Sequence, residues 1–349
     1  MNQALDHRPL NIVCIGGGTG LSCLLSGMKR LILDGPICSI DRSFHIKNLS
    51  AVVTVSDDGG SSGRIREELN VLPPGDVRNC LVALANDELL MTELFRYRFT
   101  STGDLRDHSF GNLFLAALTG ITGDFAHAVR LASDVLAIHG RVYPSTTENV
   151  YLVAELADGS VRHGETQISS SSRPIRRLQL EPAVCHPVEG TLEAIREADI
   201  ITLGPGSLYT SVICNLLVTQ VSDAITRSHA RKIYICNIMT QPGETSHFTA
   251  SQHIRAIMEH APGLHFDAVL LNDAPVSATL LDRYRAEQSE PVRTDLEELK
   301  QLGIRSFSRP LICESDTVRH KAELLARVIF DIYDILSSEQ HESFFSQAR

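Results

Sequence analysis

A short apolar run that breaks into a cluster of glycines limits the fold of this chain more than any other feature. The stretch Asn11–Leu31 reads NIVCIGGGTGLSCLLSGMKRL. Its β-branched run is typical of a strand that is buried on both faces of a parallel sheet. The apolar residues after the glycines recur at helical spacing, which predicts a strand, a glycine loop and a helix in that order. The free N–H groups at the start of such a helix favour an anion, so the loop is a candidate phosphate site.

This glycine loop matches neither of two well-known nucleotide motifs. The candidate binding residues in it are Gly16, Gly17, Gly18, Thr19 and Gly20. Leu21 stands where the dinucleotide fingerprint G-x-G-x-x-G needs its last glycine, and the Gly-Lys-Ser/Thr ending of a Walker loop is missing. A tight turn that binds nothing is the alternative for this loop taken alone, so other segments have to decide.

The composition is that of an ordinary globular protein, and it excludes several functional classes. The chain has 349 residues, of which 43% are hydrophobic and 21% are charged. Its formal net charge of −10 gives no general attraction to nucleic acid or to an anionic membrane, so an anionic ligand needs a local site. The eight cysteines include no C-x-x-C pair, which favours buried thiols in a reducing compartment over a zinc site or disulfides.

Targeting and membrane signals are missing from the sequence pattern. The first ten residues, MNQALDHRPL, show no charged-then-apolar leader, so we expect a cytoplasmic protein. The uncharged stretch 200–222 is long enough for a membrane span, but a Gly-Pro-Gly sequence and many polar residues interrupt it. We therefore predict no membrane insertion.

Two acidic residues follow the second predicted strand. Ala51–Val55 reads as that strand, and the turn after it contains Asp57, Asp58, Ser62 and Gly63 as candidate ligands. Acids at the carboxyl end of a strand lie where open α/β sheets bind ligands. One carboxylate is suited to accept a hydrogen bond from a ribose hydroxyl, or both are suited to hold Mg²⁺ between phosphates. The alternative is a turn in which an aspartate accepts a local backbone N–H.

The segment LPPGDVRNCLVAL at 72–84 repeats the pattern of a turn followed by an apolar helix. Asp76 is its candidate N-cap, and Arg78 and Asn79 fall in the first helical turn. A cation at a helix N-terminus is unfavourable unless it faces an anion, which makes Arg78 a candidate ligand-binding residue. A solvated arginine is the alternative.

Two later segments add further candidates. Asn112 lies at the start of another apolar helix, where its side chain is suited to line a ligand-binding crevice that it would share with the preceding loops. GPGSLYTS at 204–211 is a second glycine loop that opens a helix, and its candidate phosphate-binding residues are Gly204, Gly206 and Ser207.

Strands alternate with helices over most of the chain. This order predicts a doubly wound, mostly parallel sheet whose ligand-type loops share one edge. Residues 142–182 depart from it, since a hairpin signature and a stretch rich in serine and arginine predict an antiparallel excursion with a mobile loop. The polar stretch 34–50 is predicted to be an irregular loop. We predict a single domain over 1–336, closed by a helix that ends near Leu336, and a flexible tail over 337–349.

Six segments together resemble the YvcK family of bacterial gluconeogenesis factors, also called the CofD-like family. They are GGGTGLS at 16–22, TVSDDGGSSGR at 54–64, LPPGDVRNCLVAL at 72–84, HSFGNLFLAAL at 108–118, GPGSLYTS at 204–211 and YICNIMTQPGET at 234–245. The resemblance implies a Rossmann-like fold in a three-layer α/β/α arrangement, a cytoplasmic location and binding of UDP-sugars such as UDP-N-acetylglucosamine or UDP-glucose, with no required cofactor. It also implies a role in cell shape and wall synthesis during gluconeogenic growth.

A more distant resemblance is to CofD, the 2-phospho-L-lactate transferase, which is similar in its glycine loop, its Asp-Asp turn and its fold. It implies an alternative function, a Mg²⁺-dependent phosphotransferase in which Asp57 and Asp58 hold the metal. The blocks PPGDVRNC and TQPGET fit the YvcK branch better, although Cys214 stands where that branch is expected to have proline. An NAD-dependent oxidoreductase is a third hypothesis, based on the fold alone.

The spacing of polar residues indicates no pair of nucleophile and base, which favours a binding protein over an enzyme. We therefore expect a nucleotide sugar as the small-molecule partner and no nucleic acid. The sequence is compatible with a homo-oligomer and leaves open the regulated protein partner and the identity of the nucleotide and sugar.

Overall fold

Strands and helices alternate along the part of the chain that the structure, a computed structural model, describes: residues 7–39, 43–86, 89–100 and 102–347. The strands are β1 (His7–Gly16), β2 (Ile37–Cys38), β3 (Ser43–Val53), β4 (Arg141–Pro144), β5 (Tyr151–Leu156), β6 (Val161–His163), β7 (Ile175–Glu181), β8 (Ile200–Leu203), β9 (Arg231–Ile235), β10 (Ala268–Asn272), β11 (Arg305–Arg309), β12 (Ile312–Glu314) and β13 (Val318–His320).

The helices lie between the strands along the chain, and the longest of them follows the last strand. They are α1 (Gly18–Leu33), α2 (Gly60–Leu69), α3 (Gly75–Leu84), α4 (Leu89–Arg96), α5 (Phe110–Thr122), α6 (Phe125–Val135), α7 (Glu165–Ser169), α8 (Thr191–Glu197), α9 (Cys214–Leu216), α10 (Val221–Arg227), α11 (Ala250–His260), α12 (Ala278–Ala286), α13 (Leu296–Gln301) and α14 (Ala322–Gln347). A π-helical segment, Leu208–Ile213, leads directly into α9.

The central sheet is a Rossmann-type sheet, as predicted. Its order is β11-β10-β9-β8-β1-β3, and β2 and β4 both pair with the outer edge of β3. β2 runs antiparallel, whereas the other strands run parallel. If only the parallel strands are numbered along the chain, their order is 3-2-1-4-5-6-7, the doubly wound arrangement. The order of strand addition reverses between β1 and β8, which is where such sheets bind ligands.

Strand β1 lies in the middle of the sheet and is covered on both faces. No more than 1% of the surface is exposed in any of its central residues, Ile12, Val13, Cys14 and Ile15. Successive side chains of a strand point to opposite faces, so continuous burial requires helices on both sides. The strand buried on both faces that the apolar run predicts is therefore confirmed, and so is the three-layer α/β/α arrangement that the family resemblance implies.

The antiparallel excursion is also confirmed in its hairpin. β5 pairs antiparallel with β6 on one side and with β7 on the other, which gives a small sheet apart from the main one. Helix α7 connects β6 to β7. A second small antiparallel pair, β12 and β13, lies near the C-terminal end of the chain.

Two boundaries differ from the prediction. The stretch 34–50 is not an irregular loop, because β3 begins at Ser43 and pairs with β1 from there. Phe44 and Leu49 are buried, but most of the residues between them are polar and exposed, so this half of the strand has the sequence pattern of a loop.

Helix α14 does not end near Leu336 but continues to Gln347. Residues 337–347 contain no glycine or proline that would stop a helix. The last two residues of the predicted tail, 348–349, lie outside the described residues, as do residues 1–6 of the segment searched for a leader.

None of the described helices is by itself long and apolar enough to cross a membrane. The segments Leu208–Leu216 and Val221–Arg227, which meet at an angle of 78°, satisfy the length and composition criteria only when taken together.

Candidate functional site

The two predicted glycine loops meet at the switch point between β1 and β8. Ile15 pairs with Leu203 across the two strands, and the Gly204 N–H donates to the Ile15 carbonyl oxygen (3.0 Å). Residues 16–20 and 204–207 therefore leave neighbouring strands at the same edge of the sheet. This is the edge at which the sequence predicts a crevice.

Helix α1 begins inside the first glycine loop. Its N-cap is Gly17, which has no side chain to cap the first turn. Gly18 has a φ of +61°, a left-handed conformation that glycine adopts without strain. A Cβ at Gly17 would lie 2.6 Å from a carboxylate oxygen of Asp76, and a Cβ at Gly20 would overlap the carbonyl oxygen of Pro205. Glycine at these positions lets the two loops pack closely.

A crevice with a cavity volume of about 450 Å³ opens at this edge of the sheet. Its lining includes eight of the predicted residues: Gly17, Gly18, Thr19, Gly20, Asp57, Asp76, Gly206 and Ser207. It also includes residues that the sequence does not single out: Cys23, Glu165, Ser211, Asn237, Gln241, Tyr284, Arg319 and His320. The volume lies within the usual range of small-molecule sites.

The two adjacent acids of the Asp-Asp turn face different surroundings. Asp57 lines the crevice, and its Oδ1 accepts a hydrogen bond from the Gly59 N–H (2.9 Å). Burial raises the pKa of the Asp57 carboxyl. Asp58 Oδ1 instead accepts hydrogen bonds from the N–H (2.9 Å) and the hydroxyl (2.7 Å) of Thr166. Asp58 therefore holds the start of α7, whereas Asp57 is the acid available to a ligand.

Asp76 reaches the first glycine loop from helix α3. The helix begins at Gly75 with Pro74 as its N-cap, so the prediction that Asp76 is the N-cap is wrong. Because Asp76 lies within the first turn, its side chain is free to accept a hydrogen bond from the Gly18 N–H. Burial, followed by the charge of Asp57, raises the pKa of Asp76 to about 7.

Glu165 is an acid of the crevice that comes from the antiparallel excursion. It is the first residue of α7. Burial, followed by the charges of Asp57 and Asp76, raises the pKa of its carboxyl to about 9. Glu165 is therefore protonated at neutral pH and can donate a hydrogen bond.

Glu244 lies buried at the start of the π-helical segment that follows the second glycine loop. Its Oε2 accepts hydrogen bonds from the N–H groups of Tyr209 (3.1 Å) and Thr210 (3.4 Å). Its Oε1 accepts hydrogen bonds from the hydroxyls of Thr210 (3.2 Å) and Ser169 (3.3 Å). Burial raises the pKa of Glu244, and these hydrogen bonds oppose that shift. Glu244 thus joins the second loop to the end of α7.

A chain of polar side chains forms the wall beyond the second glycine loop. The Gly206 N–H donates to Asn237 Oδ1 (3.4 Å), and Asn237 Nδ2 donates to Gln241 Oε1 (3.3 Å). Gln241 Nε2 in turn donates to the Ser207 hydroxyl (2.8 Å). These contacts fix two side-chain amides at the edge of the crevice.

The C-terminal strand pair supplies the remaining wall. The Tyr284 hydroxyl accepts a hydrogen bond from the Val318 N–H (3.0 Å), which places α12 against β13. His320 is buried, and burial lowers the pKa of its imidazole to about 4, so it is neutral at pH 7. No described residue bonds to His320 Nε2. A neutral ring nitrogen without a partner therefore lies at the crevice.

Comparison with known proteins identifies the family. Residues 12–312 match the profile of the CofD family, described as 2-phospho-L-lactate transferase CofD. This chain is a member of the CofD family. It is 46% identical over 322 residues to a gluconeogenesis factor of Halalkalibacterium halodurans, with 92% of this chain and 96% of the relative covered. It is 43% identical over 329 residues to the gluconeogenesis factor of Bacillus subtilis, with 94% of this chain and 99% of the relative covered.

A solved structure supports the same assignment. The crystal structure of a protein from Bacillus halodurans has a TM-score of 0.86 and 45% identity to this CofD-family chain. The aligned region covers 93% of this chain and 100% of the chain in that crystal structure. The resemblance to the YvcK, or CofD-like, family that the six motifs predict is therefore confirmed.

Half of the predicted site residues of this CofD-family chain are not part of the crevice lining. They are Gly16, Asp58, Ser62, Gly63, Arg78, Asn79, Asn112 and Gly204. Gly16 and Gly204 lie within the bases of the two loops. The Ser62 side chain is hydrogen-bonded to Asp57 and thus supports a lining residue. Asn112 is buried, and its Nδ2 donates to the Ser61 hydroxyl (3.2 Å).

Arg78 and Asn79 line a different cavity, which adjoins the crevice. The reason is the helical geometry of α3. Asp76 and Arg78 are two residues apart, so their side chains leave the helix in different directions and only Asp76 reaches the glycine loop.

Proposed function

We propose that this chain is a regulatory gluconeogenesis factor that binds a UDP-sugar, UDP-N-acetylglucosamine or UDP-glucose, in the crevice between the two glycine loops. Two relatives that align with 92% and 94% of this chain are named gluconeogenesis factors, which supports a role in growth on gluconeogenic carbon sources. We further propose that it acts in the cytoplasm, on cell shape and wall synthesis. In this proposal the protein holds the nucleotide sugar as a signal and does not consume it.

The start of α1 at the switch point carries the proposal. A helix N-terminus presents free N–H groups and the positive end of the helix dipole, and both favour phosphate. The N-cap Gly17 has no side chain that would occupy this position. Gly206, which packs against the first glycine loop, and Ser207 line the same crevice. We expect the pyrophosphate of the UDP-sugar to lie against Gly18 and Gly206.

The carboxyl groups of the crevice are compatible with an anionic ligand. The pKa of Glu165 is about 9, so at neutral pH this group is uncharged and donates a hydrogen bond where a carboxylate would repel phosphate. Asp57 is positioned to accept a hydrogen bond from a ribose hydroxyl. The ligand therefore requires no metal ion in this proposal.

The amides of Asn237 and Gln241 are suited to the polar groups of a sugar or a base. Side-chain amides offer both donors and acceptors, which sugar hydroxyls and the uracil carbonyls require. Their mutual hydrogen bond and the bond from Gln241 to Ser207 hold them in one orientation. A fixed orientation lowers the entropic cost of binding.

Isothermal titration calorimetry of the whole chain in EDTA tests this proposal. We expect UDP-N-acetylglucosamine or UDP-glucose to bind more tightly than GDP or NAD. Gln241→Ala should weaken UDP-sugar binding by about tenfold, as expected for the loss of a buried polar contact. Gln179→Ala, which removes an exposed glutamine on β7, is the matched control and should bind as the parent does. A folded protein that binds no UDP-sugar, or one in which Gln241→Ala has no effect, would overturn the proposal.

A second candidate function is a Mg²⁺-dependent phosphotransferase of the 2-phospho-L-lactate transferase type. Asp57 and Asp76 both line the crevice, close enough for the charge of Asp57 to raise the pKa of Asp76. Nucleotide sites hold Mg²⁺ with one or two carboxylates and the phosphates of the substrate. The second ligand would be Asp76 and not Asp58, because Asp58 is bonded to Thr166.

A bound Mg²⁺ would neutralise the repulsion between these carboxylates and the phosphates. The described residues contain no group of three His, Cys, Asp or Glu side chains arranged to hold a metal. The phosphates would therefore have to complete the coordination, and Asp57 and Asp76 would hold the ion only together with the nucleotide.

Metal dependence distinguishes the two candidate functions. For the regulator, we expect equal UDP-sugar affinity in EDTA and in millimolar Mg²⁺, and no transferred product by mass spectrometry. For the transferase, affinity should collapse in EDTA and Asp57→Asn should abolish the response to Mg²⁺. Product that increases with the amount of protein and is lost in Asp57→Asn would decide for the transferase.

A further inference from the structure

A second cavity, with a volume of about 840 Å³, adjoins the crevice. It lies between α1, α3, α4 and the β12–β13 pair. Thr19, Cys23, Arg319 and His320 line both cavities, so the two spaces share one wall. We refer to this second space as the basic cavity.

The charged side chains of the basic cavity are almost all cationic. The cations are Lys29, Arg30, Arg78, Arg96, Arg319 and Lys321. Among the described lining residues the acid is Glu323, and it forms an ion pair with Arg30. Lys29 donates to the carbonyl oxygen of Ala85. The chain as a whole carries a net charge of −10, so this positive charge is a local feature.

Four cations of the cavity have no acidic partner within the described part of the chain. They are Arg78, Arg96, Arg319 and Lys321. Arg96, Arg319 and Lys321 are exposed at its rim. Cations that converge on one space without counter-charges repel each other, and a bound anion relieves that repulsion.

Arg78 is the buried member of this group. Only 8% of its surface is exposed, and its Nη2 donates to the neutral Oδ1 of Asn79 (2.6 Å). Burial, followed by the nearby charge of Arg98, lowers the pKa of Arg78 to about 10, so it is still a cation at neutral pH. The nearby charge of Asp76 opposes part of this shift, but among the described residues no carboxylate forms an ion pair with Arg78. A bidentate contact with phosphate is the interaction best suited to offset the remaining cost of burying the guanidinium.

We propose that the basic cavity binds the phosphate ester of a small metabolite, at a site separate from the nucleotide in the crevice. A phosphate dianion matches several unpaired cations better than a single carboxylate does. The volume of the cavity and the hydroxyls of Ser22, Ser26 and Thr92 in its lining suit a sugar-sized body. This proposal does not depend on what the crevice binds.

The experiment is calorimetry on the whole chain without nucleotide, at constant ionic strength. The probes are glucose 6-phosphate, inorganic phosphate, citrate and glucose. We expect glucose 6-phosphate to bind and glucose not to bind, with inorganic phosphate weaker because it lacks the sugar contacts. No binding of either phosphate probe, or citrate binding more tightly than both, would overturn the proposal.

Three variants locate the binding. Arg78→Gln should weaken glucose 6-phosphate binding by about tenfold or more, the effect of losing a charge-assisted hydrogen bond. The double variant Arg96→Gln/Lys321→Gln changes only exposed residues and should also weaken it, so it decides the matter if Arg78→Gln fails to fold. Arg196→Gln removes an exposed arginine on α8, away from the cavity, and should bind as the parent does. Unchanged affinity in the double variant and in a folded Arg78→Gln protein would place the anion elsewhere and refute the proposal.

Discussion

Asp58 accepts two hydrogen bonds from Thr166, one from its backbone N–H (2.9 Å) and one from its hydroxyl (2.7 Å). This pair ties the turn after β3 to the first turn of α7, 108 residues further along the chain. Because α7 begins with Glu165, the pair also determines where the Glu165 carboxyl lies in the crevice. Asp58 thus positions a wall of the crevice, whereas the adjacent Asp57 faces its interior.

The two aspartates should therefore respond differently to substitution. Asp58→Ala should lower the free energy of unfolding by about 0.5–1.5 kcal/mol, because two donors of the exposed Thr166 exchange their acceptor for water. Thr166→Val keeps the N–H bond and removes only the hydroxyl, so about half of that loss is expected. Asp57→Asn should mainly change nucleotide affinity. Urea unfolding and calorimetry measure both effects, and an Asp58→Ala protein with full stability but no ligand affinity would contradict this assignment.

Gly18 and Gly60 form a matched pair for testing the first glycine loop. Both have positive φ, +61° and +48°, and neither would bring a Cβ into a clash. Alanine at either position should lower stability by about 1 kcal/mol, because an L-residue is strained in that conformation. Only Gly18 lines the crevice, so only Gly18→Ala should also weaken UDP-sugar binding. Equal affinities of the two variants would argue against phosphate binding at this loop.

Glu165 should make stability depend on pH. Its pKa is raised from 4.5 to about 9, so the folded protein retains a proton that the unfolded chain releases at much lower pH. The associated stability is fully present below about pH 4.5 and is lost as the pH rises towards 9. The pKa of Asp76 is raised from 3.8 to about 7, so Asp76 makes a contribution of the same sign, which is lost as the pH rises towards 7.

Glu165→Gln cannot ionise and should be more stable than the parent at pH 8.5. We expect a gain of about 1–2 kcal/mol, less than the whole shift implies because Glu165 is partly accessible from the crevice. The gain should shrink as the pH is lowered to 5. Thermal unfolding across this range tests it, with the exposed Glu67→Gln as control. A variant less stable than the parent at pH 8.5 would mean that the carboxylate, not the acid, is the form that the fold requires.

Glu244→Gln should be destabilising although it is nearly isosteric. The carboxylate uses both oxygens as acceptors, whereas glutamine retains only one. We expect the free energy of unfolding to fall by about 1–3 kcal/mol for the buried donors left without an acceptor. The exposed Glu259→Gln on α11 should change it by less than about 0.5 kcal/mol. Unfolding by urea compares the two, and equal effects would show that Glu244 has no special role.

Most of the site residues that the sequence predicts are built by βα units; Asp76, at the start of α3, is an exception because α3 follows a helix. Gly17 to Gly20 and Gly206 to Ser207 follow strands directly, so the rule for the carboxyl ends of parallel strands is enough to bring them together. Asp57 follows β3 in the same way. For these residues a local pattern determines the position in the fold.

Other residues of the crevice, which the sequence does not predict, reach it through long-range contacts. Glu165 reaches the crevice because Asp58 and Glu244 hold α7 there, and Arg319 and His320 come from an antiparallel pair near the C-terminal end of the chain. Neither position follows from spacing along the chain. The raised pKa of Glu165 likewise comes from its burial and then from the nearby charges of Asp57 and Asp76, an environment that only the folded chain creates.

The close contact between Gly20 and Pro205 bears on how such loops change during evolution. Glycine is required at Gly20 by the neighbouring loop of the same protein, and at Gly17 by Thr54 and Asp76, whether or not a ligand is present. Selection for folding alone will therefore preserve most of the glycine pattern, even in descendants that have exchanged or lost their ligand. Side chains that the backbone packing does not require, such as Asn237 and Gln241, can be substituted without loss of the fold. A change of ligand should therefore be accompanied by substitutions at these positions.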